Sequence, residues 1–173
     1  PLGVITSIAE SHLQQGLIYV GLDNGQVHRT TDDGRTWTTC YDGLPRKWVS
    51  RVEVSQHELG TVYVSLTGYR DDDFTTYLYR STNQGATWSS IANHLPSESV
   101  NVIREDPRSP QVLYVGTDLG VYVSTNRGES WQSLCASLPT TPVHDLAIHP
   151  VEHKLVIGTH GRSVFMLDVK AMV

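Results

Sequence analysis

The sequence contains few of the residues that build disulfide-bonded, metal-binding or helical domains. Its 173 residues include two cysteines, three lysines and six alanines. Two cysteines cannot form a dense disulfide framework, and their spacing matches no zinc-binding motif. No run approaches the roughly 18 consecutive apolar residues that cross a bilayer, so we expect no membrane insertion.

Positive charge is also scarce. Lysine and arginine total 13 against 18 aspartates and glutamates, which gives a net charge of −5, and the densest basic cluster is the pair Arg46 and Lys47. A nucleic-acid-binding surface needs clustered positive charge to neutralise phosphates. We therefore expect no nucleic-acid partner, and we expect no cofactor either.

The abundant residues are those that favour strands. The chain has 20 valines and 17 threonines, and its hydrophobic fraction is 39%. β-branched side chains fit a pleated sheet better than a helix. The composition predicts an all-β protein, and the length suits one domain or part of a larger one.

One phrase of eight residues occurs three times. It reads T-T-D-D-G-R-T-W at 30–37, S-T-N-Q-G-A-T-W at 81–88 and S-T-N-R-G-E-S-W at 124–131. In the second unit, alternating apolar runs predict four short strands near 49–54, 61–66, 76–80 and 87–91. Four strands in roughly 40 to 50 residues are typical of a β-propeller blade.

The repeat therefore predicts a β-propeller segment of about four four-stranded blades. The expected units are approximately 4–47, 48–98, 99–141 and 142–173. The fourth unit has predicted strands at 143–148, 154–158 and 163–168, followed by five residues and no further phrase. We expect its outer strand to be missing.

The repeated phrase has a structural explanation. An Asp or Asn oxygen can accept hydrogen bonds from main-chain N–H groups about two residues on, a glycine can adopt positive φ, and a tryptophan can be buried against the sheet. Asn replaces Asp in two copies, so the position needs an acceptor rather than a charge, which argues against metal binding. The expected structural residues are Asp32, Gly34, Trp37, Asn83, Gly85, Trp88, Asn126, Gly128 and Trp131.

The phrase resembles the Asp box, or bacterial neuraminidase (BNR) repeat, with the pattern Ser-x-Asp-x-Gly-x-Thr-Trp. The segments 100–107, 142–150 and 158–168 are similar to those of sortilin-like and glycosyl hydrolase-like bacterial propeller proteins. This resemblance implies the C-terminal half of such a propeller, in a periplasmic or secreted protein. The fold is shared by enzymes and receptors, so it leaves function open.

An incomplete fourth blade leaves a sheet edge that natural proteins normally cover. We expect other polypeptide to complete the ring, either the remaining blades of the same precursor or a second copy. The isolated chain is not expected to persist as a stable monomer. Cys40 and Cys135 lie in the predicted fourth strands of the first and third units, too far apart for a disulfide.

The candidate site residues lie where loops join the second and third strands. The second unit carries an expected long loop, 68–75. Its candidates for binding a ligand or partner are Tyr69, Arg70, Asp71, Asp72, Asp73 and Phe74. The three aspartates could be solvated or turn-capping residues, oxygen ligands of a calcium-like ion, or a carboxylate for glycoside hydrolysis. Consecutive residues rarely aim three carboxylates at one point, which favours the first interpretation.

His160 and Arg162 form the second candidate, in a turn around Gly161. Arginine could bind a carboxylate with two hydrogen bonds, and histidine titrates near neutrality. The alternative, which we favour, is that both side chains hydrogen-bond to neighbouring blades.

These observations favour the hypothesis that the protein is a noncatalytic interaction scaffold, which binds protein or peptide at its loop-rich face. The alternatives are a subdomain of a xyloglucanase-like or sialidase-like glycoside hydrolase and a sugar-binding module. Sialidases have an Arg-Ile-Pro phrase, which this sequence lacks. Catalytic residues are not assigned.

Overall fold

The computed structural model describes residues 3–134 and 138–173 and contains 15 strands within them. Blade 1 consists of β1 (Ile5–Glu10), β2 (Ile18–Leu22), β3 (Val27–Thr30) and β4 (Thr38–Thr39). Blade 2 consists of β5 (Trp48–Val54), β6 (Val62–Gly68), β7 (Asp73–Ser81) and β8 (Ser89–Ser90). Blade 3 consists of β9 (Val100–Asp106), β10 (Ser109–Thr117), β11 (Val121–Ser124) and β12 (Gln132–Ser133). Blade 4 consists of β13 (Val143–His149), β14 (Lys154–Thr159) and β15 (Val164–Asp168).

Each blade is an antiparallel sheet whose strands follow chain order from the innermost strand outwards. The predicted all-β propeller and the missing outer strand of blade 4 are both confirmed within the described residues. The outer strands of blades 1 to 3 contain only two residues each. The expected strand at 87–91 is therefore shorter than predicted, because only Ser89 and Ser90 pair with β7.

The expected long loop at 68–75 is mostly regular structure. Strand β6 continues to Gly68, a 3₁₀ turn covers Tyr69–Asp71, and β7 begins at Asp73. Asp72 ends the turn in the left-handed conformation, with φ of 55°. The extra residues of the second unit therefore lengthen a hairpin.

The core lies between neighbouring blades. Val49 of blade 2 packs on Gly21 of blade 1, where a Cβ atom would lie 2.3 Å from Val49 Cγ1. Val143 of blade 4 packs on Gly116 of blade 3 in the same way, at 2.6 Å. A side chain at either glycine would prevent this approach, so blades 1 and 2, and blades 3 and 4, pack through an aliphatic side chain set against bare backbone.

The repeated phrase forms a hydrogen-bonded turn at the end of each third strand. Asp32 Oδ1 accepts from the N–H of Thr36 at 2.8 Å, and the Thr30 hydroxyl accepts from the N–H of Gly34 at 2.9 Å. Asn83 and Asn126 accept the corresponding N–H groups of Thr87 and Ser130. The acceptor role is confirmed, but the donor lies four residues on rather than two.

The phrase tryptophans differ in burial. Trp88 donates its indole N–H to the carbonyl of Cys40 in the preceding blade, and Trp131 donates to Ile91 in the same way. Trp37 is 45% exposed and donates to Gly34 in its own turn. The expectation of burial is wrong for Trp37, because no blade lies against that side of blade 1 in the described structure.

Cys40 is a free, buried cysteine, and burial raises the pKa of its thiol to about 12. Its predicted lack of a disulfide agrees with the structure. Cys135 lies outside the described residues.

We expect Asp32→Asn to leave the fold intact and to reduce the pH dependence of stability in acid. The hydroxyl of Thr36, then its N–H and the hydroxyl of Thr30, lower the pKa of Asp32 to about 2. A lowered folded-state pKa stabilises the protein above the unfolded value near 3.8 and loses that contribution as pH falls towards 2. Urea melts between pH 5 and about pH 2 would test this, and an unchanged acid slope in the variant would contradict it.

Candidate functional site

A groove crosses the end of the blades opposite the Asp-box turns, and we call it the loop-face groove. It consists of two adjoining cavities of about 390 and 310 Å³. The side chains of Thr67, Tyr69, Asn101 and His144 line both cavities, so the two form one depression. The remaining lining residues are Trp48, Ser50, Arg51, Arg70, Ser99, Asp118, Pro142 and His160.

The blade topology brings these residues together. Inner strands begin, and second strands end, at the same end of an antiparallel blade. Asn101 and His144 are each the second residue of an inner strand, β9 and β13, whereas Asp118 and His160 each follow a second strand, β10 and β14. The groove therefore draws side chains from blades 2, 3 and 4.

Hydrogen bonds hold the floor of the groove in place. Asn101 Nδ2 donates to Asp118 Oδ1 at 2.9 Å, and the Thr67 hydroxyl donates to the Ser99 hydroxyl at 3.0 Å. The rings of His144 and His160 lie 5.2 Å apart. Preorganised polar groups of this kind lose little conformational freedom when a ligand binds.

One end of the groove is cationic. The Arg70 guanidinium stacks on the Trp48 ring, 3.8 Å from its centroid, so Trp48 is covered rather than open for stacking on a ligand. Arg51 lies at the same end and donates to Asp145 at 2.8 Å. Burial lowers the pKa of Arg51, although its guanidinium stays charged at neutral pH. The other end carries the carboxylate of Asp118.

Contacts within the β6–β7 hairpin and with Lys47 engage two of the three consecutive aspartates. Lys47 Nζ lies 3.0 Å from an Asp71 oxygen and 3.1 Å from an Asp73 oxygen. Asp73 also accepts from the Tyr77 hydroxyl at 2.8 Å. The hydroxyl and N–H of Thr75, followed by Tyr77 and Lys47, hold the pKa of Asp73 well below its usual range. A carboxylate held ionised in this way is unsuited to general acid catalysis.

The other predicted residues are divided between the groove and its surroundings. Tyr69 lines the groove, is 63% exposed and makes an edge contact with Phe74, which is also exposed. His160 lines the groove, and its main-chain N–H donates to the Pro142 carbonyl at 2.8 Å. Arg162 is exposed and lies outside the lining of both cavities.

Asn101, Asp118 and His144 line the groove but are not among the predicted binding residues. A signal for Asn101 and His144 was present, because each inner strand of blades 2 to 4 has a polar residue directly after its first valine. Ser50 follows Val49, Asn101 follows Val100, and His144 follows Val143. Nothing local in the sequence indicates the contact of Asp118 with Asn101.

Within the described residues, no helix is long and apolar enough to span a membrane. No group of three or more His, Cys, Asp or Glu side chains in this part of the chain is arranged to hold a metal ion.

The Sortilin-Vps10 family model (sortilin, neurotensin receptor 3) matches residues 76–170 of the chain. That range is more than half of the sequence. No curated protein sequence matches the chain.

Three solved structures illustrate the structural similarity. An enzyme of glycoside hydrolase family 74 from Niastella koreensis has a TM-score of 0.79 at 16% identity. The match covers 98% of this chain and 29% of the enzyme chain. The family 74 xyloglucanase from Xanthomonas campestris has a TM-score of 0.76 at 17% identity, with 98% and 30% coverage. The extracellular domain of a one-component system from B. thetaiotaomicron has a TM-score of 0.71 at 16% identity, with 96% and 21% coverage.

At these identities the similarity shows the fold alone. The chain spans about 30% or less of the length of each of these three proteins. It is thus a partial propeller relative to them.

Proposed function

The chain belongs to the Sortilin-Vps10 family, and from that membership we propose that it is a noncatalytic binding scaffold within a larger Asp-box propeller. Its ligands are proteins or peptides, and the loop-face groove is the binding site. The ring is completed by further blades of the same precursor or by a second copy, in a periplasmic or secreted protein.

The observation that carries this proposal is the charge layout of the groove. Arg51 and Arg70 lie at one end, Asp118 at the other, and the exposed ring of Tyr69 between them. A peptide offers groups of both charges, main-chain hydrogen bonds and apolar side chains within one extended ligand. Tyrosine supplies a large contact area at low cost in conformational entropy, as in many protein-binding surfaces.

Glycoside hydrolysis is the second candidate because the similar solved structures include a xyloglucanase. That chemistry needs two carboxyl groups facing each other across the scissile bond, roughly 5 to 10 Å apart. The groove lining contains one carboxylate, Asp118, which accepts a hydrogen bond from Asn101. A sugar-binding role without hydrolysis is supported only by the exposed ring of Tyr69.

Peptide selection provides the test. The immobilised full chain is used to select binders from a library of random linear peptides, and their affinities are measured by fluorescence anisotropy. We expect Tyr69→Ala and Asp118→Asn each to weaken binding about tenfold or more. Asp33→Asn makes the same change of charge as Asp118→Asn on an exposed residue at the Asp-box end and should leave affinity unchanged.

Two outcomes would overturn the proposal. One is a set of selected peptides whose affinities are insensitive to both groove variants. The other is hydrolysis of xyloglucan by the chain, followed by the release of reducing ends and abolished by Asp118→Asn.

A further inference from the structure

Each inner strand carries a β-bulge directly after its first aliphatic residue. At that point the pairing with the second strand skips one residue of the inner strand. A bulged residue lies outside the regular ladder, and bulges commonly redirect a side chain. The four bulged residues occupy the same position of the repeat, and they are Thr6, Ser50, Asn101 and His144.

In blades 1 and 2 the bulged side chain is a hydroxyl that binds the next blade. Thr6 Oγ1 donates to the Val49 carbonyl at 2.7 Å, and Ser50 Oγ donates to the Val100 carbonyl at 2.6 Å. Each acceptor is the residue directly before the bulge of the next inner strand. The corresponding acceptor for blade 3 is the carbonyl of Val143.

Blade 3 departs from this pattern. Its bulged residue is Asn101, whose Nδ2 donates to Asp118 Oδ1 at 2.9 Å within the same blade. The main-chain N–H of Asp118 donates to the Ser99 carbonyl at 3.3 Å, which holds this carboxylate in place. Because a carboxylate only accepts hydrogen bonds, the amide nitrogen of Asn101 faces Asp118 and its carbonyl oxygen points elsewhere.

Asn101 has hydrogen-bonding capacity left over in the loop-face groove. A side-chain amide has two N–H donors and one acceptor oxygen. Within the described residues, the bond to Asp118 is the one hydrogen bond that this side chain makes. Asn101 lines both cavities of the groove. One N–H and the oxygen are therefore available to a ligand where the two cavities adjoin.

We infer that the side chain of Asn101 binds the main chain of an extended peptide in the loop-face groove. The inference rests on the proposed binding of peptides. A side-chain amide has the same donor and acceptor as a peptide group, so Asn101 Oδ1 accepts a main-chain N–H and the second Nδ2 hydrogen is donated to a main-chain carbonyl. Asp118 is a positioning residue, because it determines which end of the amide faces the ligand.

Replacing Asn101 by serine gives blade 3 the side chain that blade 2 has at its bulge. The new hydroxyl can donate to blade 4 as Ser50 donates to blade 3, so we expect Asn101→Ser to be as stable as the wild type in urea melts. Peptides selected by the full chain should bind this variant about tenfold more weakly, because two hydrogen bonds are lost. Asn93→Ser makes the same change on an exposed residue outside the groove lining and should bind like the wild type.

N-methylated peptides test whether the main chain is the group that Asn101 binds. Each selected peptide is resynthesised with one main-chain N–H at a time replaced by N–CH₃, and affinities are measured by fluorescence anisotropy. We expect one position at which methylation weakens binding to the wild type about tenfold. The same methylation should have little further effect on Asn101→Ser, because both changes remove one shared contact.

The outcomes separate this inference from the proposed function. If Asn101→Ser binds like the wild type while Tyr69→Ala weakens binding, the inference is wrong and the binding role stands. If methylation at every position weakens the wild type and Asn101→Ser equally, the inference is also wrong, because Asn101 then contacts a ligand side chain. A selection that yields no peptide binder would overturn the proposed function and this inference with it. Asn101→Ala replaces the serine variant if that variant does not unfold cooperatively.

Discussion

Replacing Trp131 by alanine is expected to lower the free energy of unfolding by about 3 to 5 kcal/mol. The Trp131 side chain is 6% exposed and packs in the cluster between blades 2 and 3. Its indole N–H donates to the Ile91 carbonyl at 2.7 Å. The substitution removes a large apolar surface and leaves this buried carbonyl without its donor, so two costs add.

The matched control is Trp37→Ala, which changes the same position of the repeat where no blade packs against it. We expect a loss below about 1 kcal/mol, as for other exposed positions. Both substitutions are compared by denaturant melts at the same protein concentration. Similar losses for Trp37 and Trp131 would contradict the explanation from blade contacts.

The second large effect is expected for Glu105→Ala. This buried carboxylate accepts hydrogen bonds from the Ser55 hydroxyl at 2.8 Å, the Gln56 N–H at 2.7 Å and the Tyr63 hydroxyl at 3.1 Å. It therefore ties the inner strand of blade 3 to blade 2. Burial, followed by the nearby Glu105 charge, raises the pKa of Tyr63 well above its usual value, so the hydroxyl remains a donor.

Loss of the carboxylate leaves three donors without an acceptor, and we expect a cost of about 3 to 5 kcal/mol. Tyr63→Phe removes a single one of these bonds and should cost about 1 to 2 kcal/mol. Thermal and denaturant unfolding of both variants provide the measurement. If Glu105→Ala were no more destabilising than Tyr63→Phe, the network would not be holding the two blades together.

The blade architecture was predictable because it is encoded locally. Each phrase places a hydroxyl, an Asp or Asn oxygen and a glycine within five residues, as Thr30, Asp32 and Gly34 show. Such a turn forms from neighbours in sequence, so its spacing along the chain reveals the number of blades.

The groove was only partly predictable. Tyr69, Arg70 and His160 line it as part of the predicted set, whereas Asp71 and Asp73 are engaged by Lys47 instead. The Lys47 contacts bridge more than 20 residues of sequence and depend on the pairing of β5 with β6, which sets Trp48 opposite Thr67. No local pattern distinguishes a carboxylate that faces a ligand from one that binds a lysine.

The sequence by itself determined that the protein is a set of four repeated β-sheets with Asp-box turns and an incomplete last blade, since strand periodicity and turn chemistry depend on near neighbours. Only the tertiary structure decided which copies of a repeated residue are buried. Trp37 and Trp131, or Val164 and Val121, occupy the same position of the repeat, yet one of each pair is exposed and the other is not. The physical reason is that their burial comes from the adjacent blade, and the surface that a residue presents to another blade is a property of the assembled ring.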